Sequence, residues 1–198
     1  MKEEDRKARH DAIAKAAYKL LPKHGYAGTS MLRVAKAAQA SNETLYRWYG
    51  NKDGLFRAMV EDNAARARDE IEAALASGEA SKDRLATLAP VILTMLLGER
   101  PVLLNRAAAA DPSGKLGEAV AKGGRAQIVP LLEQLMDRLP LIPDLTPPDA
   151  AALFISLIVG DWQIRRVVHG MPMPDPAEIA AHCALRMEMF RQLALVEA

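Results

Sequence analysis

Residues 26–56 read YAGTSMLRVAKAAQASNETLYRWYGNKDGLF, and this stretch decides the fold. Met31, Val34 and Ala35 recur at the spacing of one helix face, and Leu45 and Tyr49, four apart, share another. Thr29 and Ser30 precede the first run and Ser41 precedes the second. These residue types accept hydrogen bonds from the free amides at a helix start. The pattern predicts two short helices at about 31–37 and 42–48, separated by the tight turn Ala38-Gln39-Ala40. Two helices so joined make a helix-turn-helix, whose second helix enters the major groove of DNA.

Working outward, Ile13, Ala16, Ala17, Leu20 and Leu21 form the apolar stripe of a preceding helix. Gly25 is placed to end it, and Pro22 loosens its last turn. A following helix starts near Asn51-Lys52-Asp53 and runs to about Ala76. Further helices are expected at about 82–97, 101–110, 115–138, 148–169 and 176–196, with kinks at Pro90 and Pro130. The breaks SGEAS (77–81), DPSG (111–114), PLIPDLTPP (140–148) and GMPMPDP (170–176) carry turn formers. No strand alternation or internal repeat emerges. The expected fold is all-α: a three-helix N-terminal DNA-binding domain over 1–63 and a C-terminal helical bundle over 64–198.

Composition agrees. Of 198 residues 36 are Ala and only 9 are aromatic, a balance that favours helices over sheets. The single Cys183 excludes a disulfide framework and a thiolate metal cluster. The charged N-terminus has no apolar run behind it, and the longest uncharged runs (86–97 and 150–160) are too short to span a bilayer. No membrane partner and a cytoplasmic location are therefore expected. Net charge is +1, but residues 1–63 carry 12 Lys+Arg against 8 Asp+Glu, and the remainder 14 against 17. A head of +4 on a body of −3 suits a phosphate-rich partner at one end only.

With Leu45 and Tyr49 turned inward, Asn42, Glu43, Arg47 and Thr44 are left for the DNA side. Among these and Arg33, an Arg can pair with guanine, an Asn with adenine and a carboxylate with the cytosine amino group. Tyr46 and Trp48 have polar tips that suit phosphate, as do the hydroxyls of Thr29 and Ser30 and the ammonium of Lys52 at a helix start.

The stretch resembles the helix-turn-helix of the TetR family of transcriptional regulators. The matching positions are Gly25-Tyr26, Thr29-Ser30, Met31 with Val34-Ala35, Ser41 with Thr44-Leu45-Tyr46, Trp48-Tyr49, Lys52-Asp53 and Leu55-Phe56. The resemblance implies DNA contacts by Arg33, Asn42, Glu43, Thr44, Tyr46, Trp48 and Lys52. Three positions depart from the pattern: Gln39 replaces the usual glycine, Ala40 a larger aliphatic, and Arg33 an acidic residue. The resemblance further implies a homodimeric regulator, most simply a repressor, released from a palindromic double-stranded operator by a small effector. The segments RPVLLNRAAAADPSGKLGEAV and FISLIVGDWQIRRVVHG resemble, more loosely, the C-terminal domain of the AefR-like branch.

In the body, the 148–169 and 176–196 helices are the expected dimer elements, the second with a stripe through Ile179, Cys183, Arg186-Met187, Phe190 and Leu193-Ala194. An apolar or amphipathic effector is expected between the middle helices and 148–169. Its expected walls are Met95, Leu96, Leu103, Met136, Phe154 and Trp162, with Arg165 or Arg166 as anchor. His10, His24, His169 and His182 lack ligand spacing, and neither GxSxG nor HExxH occurs. No enzyme activity, metal or cofactor is expected. The competing reading is a ligand-binding or enzymatic bundle with a vestigial DNA-binding head, favoured only by Gln39-Ala40.

Overall fold

A computed structural model describes residues 3–76 and 82–196; the SGEAS break at 77–81 lies outside the described residues. In chain order the helices are α1 (Glu3–Gly28), α2 (Met31–Ala37), α3 (Asn42–Tyr49), α4 (Lys52–Ala76), α5 (Lys82–Leu97), α6 (Glu99–Ala109) and α7 (Lys115–Val120). After a π-helical turn (Ala121–Arg125) come α8 (Ala126–Met136), α9 (Pro147–Val159), α10 (Trp162–Val168) and α11 (Pro176–Ala194). The described residues hold no strand, only a lone antiparallel bridge between Leu141 and Leu195. The all-α expectation holds, with an N-terminal helix-turn-helix and a C-terminal helical domain.

The chain divides into two compact units. The first comprises residues up to Asp62 together with Leu103–Gly124, and the second Asn63–Val102 with Arg125–Ala198. A single cut after residue 63 therefore misses a segment: 103–124 packs with the head. The physical reason is the apolar surface of that segment. Leu104 and Leu116 are buried in one cluster with Ile13, Leu21, Leu55 and Phe56. Gly123 in the π-helical turn comes so close to α4 that a Cβ there would lie 2.8 Å from the Arg57 carbonyl oxygen, and glycine alone fits.

Two long helices expected from the sequence are interrupted. The 115–138 helix contains the π-helical turn, and 148–169 breaks at Gly160-Asp161, where Gly160 has φ 50°. By contrast, α5 and α8 run as continuous elements through Pro90 and Pro130. In the second unit α11 packs on α5 and α9, and α8 on α9. The rings of Phe154 and Phe190 meet edge to face with centroids 5.7 Å apart. Along α11 the inward stripe is Ile179, Cys183, Met187, Phe190 and Ala194, whereas Leu193, expected on that stripe, is 54% exposed. Asp175 and Glu178 close a reciprocal capping box that starts this helix.

Arg166 is buried and donates to the Leu97 carbonyl (3.0 Å) and the Met171 carbonyl (2.6 Å). It thus caps the C-terminal end of α5, where a cation and a donor are both favourable. Its guanidinium is engaged in holding the fold and is not free to anchor an effector.

The turn between α2 and α3 has one strained residue. Gln39 has φ 51°, among the described residues the one non-glycine at positive φ. The left-handed conformation costs a side-chain-bearing residue about 1–2 kcal/mol, of which glycine's extra chain entropy would give back about 0.5–1. Gln39→Gly is accordingly expected to raise unfolding stability by about 0.5–1 kcal/mol, read by denaturant melts. An unchanged or lowered stability would contradict the strain.

Candidate nucleic-acid interface

The first unit presents α3 by burying its opposite side. Leu45 is fully buried, in one cluster with Val34 and Ala35 of α2. Ser30 caps α2 by accepting from the Arg33 amide at 3.3 Å, and Ser41 caps α3 by accepting from the Thr44 amide at 3.0 Å. With Leu45 fixed inward, Asn42, Glu43, Tyr46 and Arg47 are all exposed, Tyr46 by 50%. These four candidates share the outward side of one short helix.

The other candidates are arranged differently. Thr29 is fully buried, and its hydroxyl donates to the Gly25 carbonyl at 2.7 Å. That hydroxyl closes the kinked end of α1, where Gly25 takes φ 61°, and is not offered to phosphate as expected. Ser30 and Arg33 are exposed, but the Arg33 guanidinium donates back to the Gly28 carbonyl at 2.9 Å. The Thr44 hydroxyl lies 2.7 Å from that of Ser41. Trp48 is half-buried with the Arg6 guanidinium over its ring at 5.8 Å, so it turns toward α1.

Lys52 has a role that its type alone does not reveal. Its ammonium donates to the carbonyls of Tyr26 (2.9 Å) and Ala27 (3.5 Å) and lies 4.0 Å from the centre of the Tyr26 ring. The Tyr26 hydroxyl in turn donates to the Asp53 carboxylate, and its ring meets Phe56 edge to face at 5.0 Å. Burial and the Asp53 carboxylate together push the Tyr26 phenol well above its ordinary range. The adjacency of Tyr26 and Lys52-Asp53 in space has no short-range sequence signal, since the chain must first fold back through α2 and α3.

Tyr49 packs inward as expected, its hydroxyl 2.9 Å from His10 Nδ1. Burial pushes its phenol up to about 12, against a smaller opposing effect of the Arg6 charge.

Of the expected effector-pocket residues, Met95 borders an open cavity. That cavity has a volume of about 630 Å³ between α4, α5 and the start of α6, lined also by Ala67, Val91, Thr94 and Glu99. Met136 and Phe154 are fully buried in the core of the second unit, and Leu103 packs in the first unit. Trp162 stacks at 4.0 Å on the His182 ring, and Arg165 lies exposed 3.9 Å from Asp161. Leu96 packs against the core. Apolar periodicity could not separate a cavity wall from core.

The geometry is that of a helix-turn-helix with one helix face turned outward, and comparison with known proteins makes the likeness specific. Residues 13–59 match the model of the bacterial regulatory proteins of the tetR family. Over 71 residues the chain is 39% identical to the HTH-type transcriptional repressor ComR of Escherichia coli, covering 36% of this chain and 34% of the relative. The chain thus matches about a third of the length of its curated relatives. Over nearly the whole chain, the fold is similar to two solved structures. A protein of Mesorhizobium loti assigned to the TetR family has TM-score 0.75 and 24% identity, covering 99% of this chain and 100% of that one. A TetR transcriptional regulator of Agrobacterium tumefaciens has TM-score 0.71 and 26% identity, covering 96% and 95%.

Two outcomes follow from these contacts. Tyr26→Phe removes a hydrogen bond to a carboxylate and is expected to destabilise the protein by about 1.5–3 kcal/mol; a change below half a unit would show the bond to be idle. Because folding raises the Tyr49 pKa, its contribution is complete below the ordinary phenol value and is lost as pH rises through about 12. Tyr49→Phe should therefore flatten the alkaline fall in stability, and an unchanged pH profile would contradict this.

Proposed function

We propose that this chain is a cytoplasmic, homodimeric transcriptional regulator that binds a palindromic double-stranded operator and is released by a small effector. One observation carries the reading: α3 turns Asn42, Glu43, Tyr46 and Arg47 outward while Leu45 locks its other side into the core. That is the presentation a recognition helix needs to reach base edges. Ser30, Arg33, Thr44, Trp48 and Lys52 flank this face, as phosphate or supporting contacts. Repression is favoured by the likeness of the head to two transcriptional repressors.

A dimer follows from the need to read two half-sites, and the second unit supplies a surface for it. Ile164 and Val168 on α10, and Leu185 and Leu193 on α11, are all more than half exposed. Apolar residues repeated along two helices are what a bundle between two copies buries. The open cavity at Met95 is the site assigned to the effector. Its Ala67, Val91 and Met95 walls suit an apolar body, with Thr94 and Glu99 for a polar end. An effector that binds one conformation better shifts the population away from the DNA-binding spacing, and equal binding would shift nothing. No single helix among the described residues is long and apolar enough to cross a membrane. The AefR-like likeness of the body is retained as the subfamily reading.

The test is a footprint of the purified protein on DNA upstream of its own gene, at physiological salt with excess competitor. A protected palindrome that is lost in Tyr46→Ala and Arg47→Ala proteins of unchanged melting temperature is expected. No protection at micromolar protein would move the assignment to a ligand-binding bundle. For the dimer, Leu185→Asp is expected to give folded monomers in sedimentation and to weaken operator binding, whereas an intact dimer would reject this interface.

A further inference from the structure

Among the described residues of the first unit, two large apolar side chains are left exposed: Tyr46 at 50% and Leu32 at 65%. Tyr46 has a hydroxyl for a polar partner, but Leu32 has nothing to offer water. Its place in α2 is fixed. Met31, Val34 and Ala35 are buried on the side that packs in the core, so Leu32 stands off that side with the exposed Arg33 and Lys36. The Arg33 guanidinium is turned back onto the Gly28 carbonyl at 2.9 Å. Leu32 is thus the large apolar side chain that α2 leaves exposed, and its exposed helix neighbours Arg33 and Lys36 are cationic, as suits phosphate.

A single exposed leucine is ordinary on a protein surface. This one lies on the first helix of the turn motif, beside the exposed Arg33, which the DNA-binding reading puts at the interface. In the major groove the one apolar group that distinguishes a base pair is the thymine C5-methyl. We infer that Leu32 is a specificity-determining residue that packs on a thymine methyl in each half-site, a role in base reading that the pattern of polar candidates leaves out. The inference rests on the DNA-binding reading above. Burial of one methyl at each contact corresponds to about a fourfold change in affinity per half-site.

The experiment selects the preferred operator from a random duplex library with the full-length protein. It then replaces each thymine in turn by uracil, which differs only by that methyl. The expected result is one thymine per half-site whose methyl removal weakens binding about fourfold. Leu32→Ala, melting as the parent does, should lose the sensitivity at that position and keep its preference for the other base pairs of the selected operator. Specific binding with no methyl-sensitive thymine overturns the inference while leaving the DNA-binding reading intact. Equal methyl sensitivity in Leu32→Ala overturns it too. Failure to select any sequence overturns both. A scan of the unaltered protein without a methyl-sensitive thymine overturns the inference even if Leu32→Ala does not fold, and Leu32→Gln then serves as the second variant that should lose the sensitivity.

Discussion

The head depends on one knot, in which the end of α1 is tied to the start of α4. Lys52 holds the carbonyls of Tyr26 and Ala27, Tyr26 reaches Asp53, and Thr29 closes back onto Gly25. The Lys52 and Thr29 bonds go to backbone carbonyls at the end of α1, where a helix leaves acceptors open, and the Tyr26–Asp53 bond ties the two elements side chain to side chain. The consequence is larger than capping. With both ends bracketed, α2 and α3 must make their reversal within a fixed span, and the turn accepts a left-handed Gln39 to do so. The shape of the turn is thereby imposed from outside it, which explains how the motif forms without glycine at that position.

The same constraint sets the outward face of α3. The helix has eight residues, too few to be stable alone, so its orientation comes from Leu45 in the core and from Tyr49 against His10. Once those two are inward, the 3.6-residue period leaves Asn42, Glu43, Tyr46 and Arg47 no other direction.

Local pattern made most of the head legible. Serine caps, the Val34-Ala35 and Leu45 positions and the short turn gave α2 and α3 nearly to the residue, because each signal acts within four residues of its target. What escaped was non-local. The burial of Thr29 and the engagement of Lys52 and Arg33 with backbone carbonyls require knowing where α1 ends in space. In the second unit, apolar residues were read correctly as apolar but not by destination. Met136 and Phe154 went to the core, Leu193 to the surface and Met95 to the cavity. The break at Gly160-Asp161 has a local cause, a glycine at positive φ, whereas the allegiance of 103–124 to the head is set by packing.

The central claim is that α3, held by its buried side, is what meets DNA. The most direct measurement is a map of backbone amide chemical shifts of the intact protein as operator duplex is added. The account predicts the largest changes along α3 from Asn42 to Tyr49 and at the start of α2, with the core of the second unit little changed. Binding that left the α3 amides in place and moved another surface would contradict it.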